Sequence, residues 1–573
     1  MGPMEDQQAV RTIHTDVLVI GNGGAGLRAA IEASRQGAEV LVVARTILGK
    51  AHTTMAEGGF NAVLGNIDPS DSVESHFKDT VTEGAFLNDQ RLVEMLVNEA
   101  AERIYDLEGF GAVFDRTPQG WIAQRPFGGQ GHARTCYLGD ETGHEIIMAL
   151  VEEARRRHLA HKDEVLVTKL LMAGERCCGA FALEMRHGEY LVLQAKSTVL
   201  AMGGAGRIFQ VTSNPDEATG DGYALAYEAG AELMDMEQVQ FHPTGMVLPK
   251  SARGILVTEA ARAEGGQLLN ARQERFMTKY DPARMELAPR DVVARAIWTE
   301  VAEGRGAPSG AVYLDLTRVP SSTVLAKLPR MHKQFLSFAN LDITKQMIEV
   351  APTQHHFMGG VKIRPEDNRS TTVQGLYLAG ENEAGVHGAN RLGGNALAET
   401  QVFGARAGRF AALHAISSRP TSIPEREIEG ERERLDALLR PGLKPQAVKE
   451  QLRDLMWRSA GIVRNGEDLG EALYEIQLLR GNLMEVGASG SKRYNLEWHD
   501  AISLPHMLLV SECVVRSALM RAESRGAHFR SDHPQRNDGD WLSNINILRS
   551  GDGSMLVYQT PVQVTWLRPK EVA

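Results

Sequence analysis

Asp16 to Ile20 (DVLVI) is a short apolar run, and Gly21-Asn22-Gly23-Gly24-Ala25-Gly26 follows it at once. A helix-patterned stretch then reaches Arg35, Gly37 closes it, and Glu39 to Val43 (EVLVV) makes a second apolar run. Runs of this length suit strands buried in a parallel sheet, so the order is strand, glycine turn, helix, strand. A GxGxxG turn there lets a pyrophosphate approach the helix N-terminus, where unpaired N–H groups and the helix dipole favour anions. The strand-turn-helix context is what gives the motif specificity. Where an acid ordinarily holds a ribose, the second strand ends Val43-Ala44-Arg45. This argues against a nicotinamide cofactor and leaves the adenosine ribose without an obvious carboxylate partner.

Two further strand-and-glycine edges occur, at Ser197 to Gly206 (STVLAMGGAG) and at Gly375 to Gly380 (GLYLAG) before Glu381. Edges spaced about 180 residues apart imply one cofactor domain assembled from distant segments. The expected fold is α/β: a Rossmann-like dinucleotide domain over 1–235 and 351–415, an inserted capping domain over 236–350, a helical domain over 416–530 and a small C-terminal domain over 531–573. Pro424 to Val486 is charged and helix-patterned, broken at Arg440-Pro441-Gly442; a long helix is expected from Leu504 to Arg525, and a strand within Met555 to Trp566.

The chain has 573 residues, too many for one core. Its net charge is −11, and no block of Lys and Arg offers a phosphate-tracking surface, which excludes nucleic acid as the expected partner. No stretch is read as the roughly 18 apolar residues of a membrane span, and MGPMEDQQAVRTIH lacks the apolar core of a secretory signal. The expectation is a cytoplasmic protein that touches a membrane only through other proteins. Cys136, Cys177, Cys178 and Cys513 form no CxxC motif or disulfide framework, so no metal is expected and electrons are expected to leave through a partner.

Five clusters could carry chemistry. His52, in Lys50 to Gly59 (KAHTTMAEGG), could pair with a phosphate, cap a helix, or bond covalently to a flavin. Gln240 to Gly245 (QFHPTG) and Leu256 to Gly266 (LVTEAARAEGG) place His, Thr, Glu and Arg among glycines. Such donors suit a dicarboxylate with an acid–base chain, and equally a salt-bridged loop. Arg290 after Pro289 could simply start a helix. Pro352 to Gly360 (PTQHHFMGG) and Val386 to Ala396 (VHGANRLGGNA) could grip an anion or a ring, or be tight turns.

Together, HTxxAEGG, QFHPTG, TEAxRxEGG, PRD, HxxMGG and HGANRLGGNAL resemble the flavoprotein subunits of succinate dehydrogenase and fumarate reductase, from Asp16 to about Trp541. The late segment RAESRGAH, Arg521 to His528, belongs to the resemblance. It implies FAD held by Gly21, Gly23 and Gly26 at the pyrophosphate, with Thr53, Gly58, Gly59, Gly203, Gly204, Asp221, Glu381, Arg391, Asn395, Ala396 and Leu397 along the rest, and bonded covalently through His52. It further implies that His242, Thr258, His355 and Arg391 grip succinate or fumarate, with Phe127 on its carbon frame. Arg290 would be the proton shuttle, fed by Glu259 and Arg262. An iron–sulfur subunit would exchange the electrons, itself docked on a membrane anchor at the inner face of the cell membrane. The chain departs from the family pattern at His356, where Tyr is usual, at Ala396, where Ser is common, and at Ala263, where Gly is usual.

Two rival readings stand beside this one. L-aspartate oxidase has similar substrate residues but typically lacks the attachment His, so retention of flavin on the denatured polypeptide separates the two. A flavin-binding scaffold without turnover would require loss of Arg290, His242, His355 or Arg391, and all four are present. Succinate-dependent dye reduction tests that alternative.

Overall fold

A computed structural model describes residues 10–569. Residues 1–9, most of the stretch read for a signal, lie outside the described residues, as do the last four.

The first strand, β1 (Arg11–Ile20), begins before the apolar run because Arg11 to His14 are largely exposed, while Val17 to Ile20 are buried. It leads through the glycine turn into α1 (Gly24–Arg35) and β2 (Val40–Val43). β1 runs parallel to β2 on one side and to β3 (Glu189–Leu200) on the other, with Val17 opposite both Val40 and Ser197. Beyond β2 lies the short strand Ala160–Lys162; beyond β3 two antiparallel strands, Arg176–Glu184 and Val165–Ala173, finish that side. The turn requires glycine at Gly21, whose φ is +116°, in the region L side chains rarely adopt. A Cβ on Gly26 would lie 2.0 Å from the Gly21 carbonyl oxygen, so α1 can approach the strand end only without one.

β4 (Leu233–Met234) precedes β5 (Val239–Met246), where the chain enters a second body. Strands Gln267–Leu269 and Val312–Asp315, α2 (Arg290–Ala302) and β6 (Ile348–Phe357) belong to it. Its four-stranded sheet is antiparallel, and Val257, Leu268, Ile297, Leu314 and Phe335 form part of a hydrophobic core separate from the main one. The chain then returns to the first sheet, where β7 (Leu376–Leu378) pairs in parallel with the far half of β3.

α3 (Asn395–Ser417) packs on α1, and a Cβ on Gly408 would lie 2.1 Å from the Ala29 carbonyl oxygen. Three helices, Glu425–Ala437, Pro445–Ser459 and Gly466–Gly481, follow the charged stretch and break at the expected Pro-Gly. The long helix is α4 (Leu496–Met520), shifted toward the N-terminus from the expected range because the Asn495 side chain caps it by accepting from Trp498 N–H. Among the described residues α4 is the one helix long and apolar enough to cross a membrane by length and composition; 83% of its apolar window is buried inside the protein. Glu512 and Arg516 interrupt its apolar run in the sequence. The last two strands, Ser543–Arg549 and Met555–Pro561, extend a sheet through β4 rather than forming one of their own.

Candidate active site

One cavity runs between the glycine turn and the second body. One wall is backbone: Gly21, Gly23 and the N-terminus of α1, then Gly203 and Gly204 after β3, and Gly58 and Gly59 after the His52 segment. A Cβ on Gly204 would lie 2.2 Å from Glu381 Oε1, so a side chain there would displace the Glu381 carboxyl. Thr53 Oγ1 accepts the Gly24 N–H at 3.1 Å, joining the His52 segment to the start of α1. Asp221 lines the cavity, but its carboxylate already accepts from His506 Nδ1 at 2.7 Å and from Thr219 Oγ1 at 2.7 Å. Arg45, the residue standing where a ribose acid was sought, lies 3.7 Å from that carboxylate.

His52 sits in a single 3-10 turn, its ring facing the cavity and its Nδ1 enclosed without a hydrogen-bond partner. Burial, with Arg391 and Arg207 nearby, pushes its pKa down to about 4, so the imidazole is neutral and its nitrogen lone pair is available. Glu57, three residues past Thr54, is buried, with Arg330 Nε 3.8 Å away. Burial pushes its carboxyl up to about 8, against the attraction of Arg330.

The other wall carries charge. Glu259 Oε2 accepts from Arg290 Nε at 2.8 Å, and Arg262 Nη2 stands 3.8 Å from the same oxygen. Burial alone would raise the Glu259 pKa, but Arg290 and Arg262 outweigh it and hold the carboxylate below its usual range. Arg262 does not line the cavity; it stands behind Glu259 and donates to the Glu286 carbonyl. The three groups thus form a chain leading away from the cavity. Gly128 N–H donates to Glu259 Oε1 at 3.0 Å, and Phe127 beside it lines the cavity.

His242 and His355 face each other with ring centroids 5.4 Å apart, and His52 lies 6.1 Å from His355. His242 Nδ1 pairs with the Thr244 carbonyl at 2.9 Å and His355 Nδ1 with Ser213 Oγ at 2.9 Å, which leaves each Nε2 for the cavity. Burial and the surrounding arginines hold both imidazoles well below their ordinary pKa. The register explains how His355 arrives: Phe241 opposes Gln354 and Gln240 opposes His356, so His355 is the extra residue of a bulge. Bulges re-aim a side chain out of the strand's regular alternation.

Thr258, buried at the end of this wall, lines the cavity with Arg290 and Arg391. The two guanidiniums are tied together by Gln240, whose Oε1 accepts from Arg391 Nη2 at 3.0 Å and from Arg290 Nη1 at 3.2 Å. Burial and Arg290 push the Arg391 pKa down to about 9. Gln240 is not among the individually expected site residues; its place at the head of the QFHPTG motif is the available signal. Glu381, Ala396 and Leu397 also line the cavity. Gly26 and Asn395 do not. Asn395 is fully buried, its side chain taken up by Asn61, His76 and Thr80 at 2.7 to 3.0 Å, at the start of α3.

The family described as FAD binding domain matches residues 16–397, and the one described as fumarate reductase flavoprotein C-term matches 449–573. The chain belongs to the succinate dehydrogenase and fumarate reductase flavoprotein family. A subunit of the CoM/CoB fumarate reductase of Methanothermobacter marburgensis is 49% identical over 93% of this chain and 97% of its own length. The succinate dehydrogenase flavoprotein subunit of Rickettsia conorii is 36% identical over 97% of this chain and of itself. A solved structure of the E. coli quinol fumarate reductase superposes with a TM-score of 0.92 at 33% identity, covering 98% of both chains. The chain is accordingly an FAD-dependent oxidoreductase of this family, with the α/β architecture read from its sequence. The cavity suits the cofactor: a glycine cradle at a helix N-terminus for the pyrophosphate, and an unpartnered neutral imidazole at His52.

Proposed function

We propose that this chain is the catalytic subunit that interconverts succinate and fumarate. FAD, when bound, supplies the two-electron chemistry at its ring. The observation that carries the reading is that a single cavity holds both the glycine cradle and His242, Thr258, His355, Arg290 and Arg391.

In this reading the two imidazole Nε2 groups, the Thr258 hydroxyl and Arg391 bind the two carboxylates of the substrate. Paired hydrogen bonds to charged oxygens orient it, and gripping both ends twists the four-carbon frame toward the transition state. Phe127 excludes water from the carbon frame. Arg290 gives a proton to one methine carbon during reduction and takes it back during oxidation. An ordinary guanidinium holds its proton too tightly for this, its pKa exceeding ~12. The supporting feature is the chain behind it, in which Glu259 and then Arg262 offer a route for the proton's return.

His52 is proposed as the covalent attachment point of the flavin. Electrons pass to or from an iron–sulfur subunit, and through it a membrane anchor, which places the chain peripherally on the inner face of the cell membrane. The reading is supported by the names of its relatives, which are subunits. Dye reduction driven by succinate, and its reverse with fumarate and a reduced viologen, test the activity; neither reaction in FAD-loaded protein would refute it. Flavin fluorescence remaining on the denatured polypeptide tests His52 and also separates this reading from an L-aspartate oxidase.

A further inference from the structure

His356 follows the bulge residue His355 on β6. It is buried, lines the cavity, and its Nδ1 lies 3.6 Å from Glu381 Oε1. Its ring faces that of His387 at 5.4 Å, and His387 Nε2 in turn lies 3.0 Å from Glu399 Oε2, at the start of α3. His387 and Glu399 are each no more than 3% exposed. Beyond that ion-pair contact, His356 Nε2, both His387 nitrogens and Glu399 Oε2 make no hydrogen bond. Two imidazoles and two carboxylates therefore form a buried row whose near end touches the cavity, and the mechanism above uses none of it.

Buried polar atoms left unpaired are costly, and a row of bases without donors has capacity for a proton. Charged and titratable groups face His356 from several elements: Arg391 from the loop before α3, Arg290 from α2, the imidazoles of His52 and His387, and on the acidic side Glu381 and Glu399, with Glu383 behind Glu399. Burial, with Arg391 and Arg290, holds His356 neutral. Two electrons entering the cavity's cofactor oppose that positive field and favour protonation of a neutral base beside it. A tyrosine at this position could not respond in this way, since its neutral ring has no proton-accepting nitrogen.

We propose that His356, backed by His387 and Glu399, takes up one proton each time the bound flavin is reduced. The inference rests on the FAD-binding reading above. The reductant supplies two electrons, the flavin takes the one proton its own reduction requires, and a second proton from solvent forms an N–H bond at His356 Nε2, giving an imidazolium; reoxidation releases both protons.

The test is spectroelectrochemical titration of the FAD-loaded protein between about pH 7 and pH 8.5, where the flavin alone takes one proton per two electrons. Each proton coupled to two electrons changes the equilibrium constant tenfold per pH unit, about 30 mV. The wild type is expected to show about twice that slope, and H356Y the single slope, with flavin content unchanged. E399Q is expected to lower the pH at which the second proton is lost. Equal slopes in wild type and H356Y overturn the inference; so does a steep slope that survives in H356Y and disappears in E381Q, which assigns the proton to Glu381. If H356Y does not hold flavin, H356Q is titrated with the same two outcomes. Failure to interconvert succinate and fumarate, with the slopes as expected, refutes the proposed function and leaves this inference standing.

Discussion

The two walls of the cavity meet the same space by opposite means. The cofactor wall is glycine backbone: an added Cβ would lie 2.2 Å from Glu381 Oε1 at Gly204 and, behind the wall at Gly26, 2.0 Å from the Gly21 carbonyl oxygen. The substrate wall is charge and hydrogen bonding, in which Arg290, Glu259, Arg391 and Gln240 hold one another in place. A wall of the first kind fails when something is added, and one of the second kind fails when something is removed. The cofactor wall is local, since each turn is a few consecutive residues. The substrate wall is assembled across about 150 residues, Gln240 to Arg391, and depends on how distant strands pair.

The largest expected effect separates chemistry from binding. Arg290→Ala should lower turnover about 10²- to 10⁴-fold, the range of general acid–base catalysis, while flavin content stays near that of the wild type; dye reduction and visible absorbance measure the two. Near-normal turnover would end the assignment. On the opposite wall, Gly204→Val would press on the Glu381 carboxyl and should lose most bound FAD while leaving Arg290, Glu259 and Arg391 in place, and full retention of flavin would show that the wall tolerates a Cβ. Gln240→Leu removes the acceptor shared by two guanidiniums. Loss of hydrogen bonds to charged groups, about 1.5 to 3 kcal/mol, predicts roughly a 10- to 100-fold fall in kcat/KM, checked by steady-state kinetics.

The smallest effect concerns Glu57 and reads stability rather than activity. Its carboxyl titrates near 8 in the folded chain and near 4.5 when unfolded, so between those values the folded state holds a proton that the unfolded state has lost. Stability from this group falls as pH rises from about 4.5 through 8. Glu57→Gln escapes this dependence and should gain on the wild type by about 1.4 kcal/mol per pH unit, measured by urea unfolding of flavin-free protein at several pH values. A pH-independent difference would contradict the assignment.

The contrast between the walls also explains what can be read from the chain alone. Gly21, His52 and Gly203 announce themselves because the turn and its flanking strand are contiguous, and the cofactor sheet follows from three such turns. The bulge that brings His355 toward His242 is not legible, because it exists only in the pairing of β5 with β6, more than 100 residues later. Gln240 opens the QFHPTG cluster, but its role is not legible there, because it exists only once both guanidiniums reach it. Asn395 sits in a motif that suggests a cofactor contact, yet a network with Asn61, His76 and Thr80 takes up its side chain. Asp221 is similar: nothing near it in the chain foretells His506, 285 residues away. Even α4 starts earlier than its apolar pattern suggests, because capping at Asn495 sets its first turn.

Anaerobic addition of succinate to the FAD-loaded chain tests the central claim most directly, that a flavin lies beside a diacid held by His242, Thr258, His355 and Arg391. The account predicts that succinate bleaches the flavin's visible absorbance, that fumarate restores it, and that Arg290→Ala slows both changes about 10²- to 10⁴-fold. A flavin that dithionite reduces but succinate leaves unaltered would contradict it.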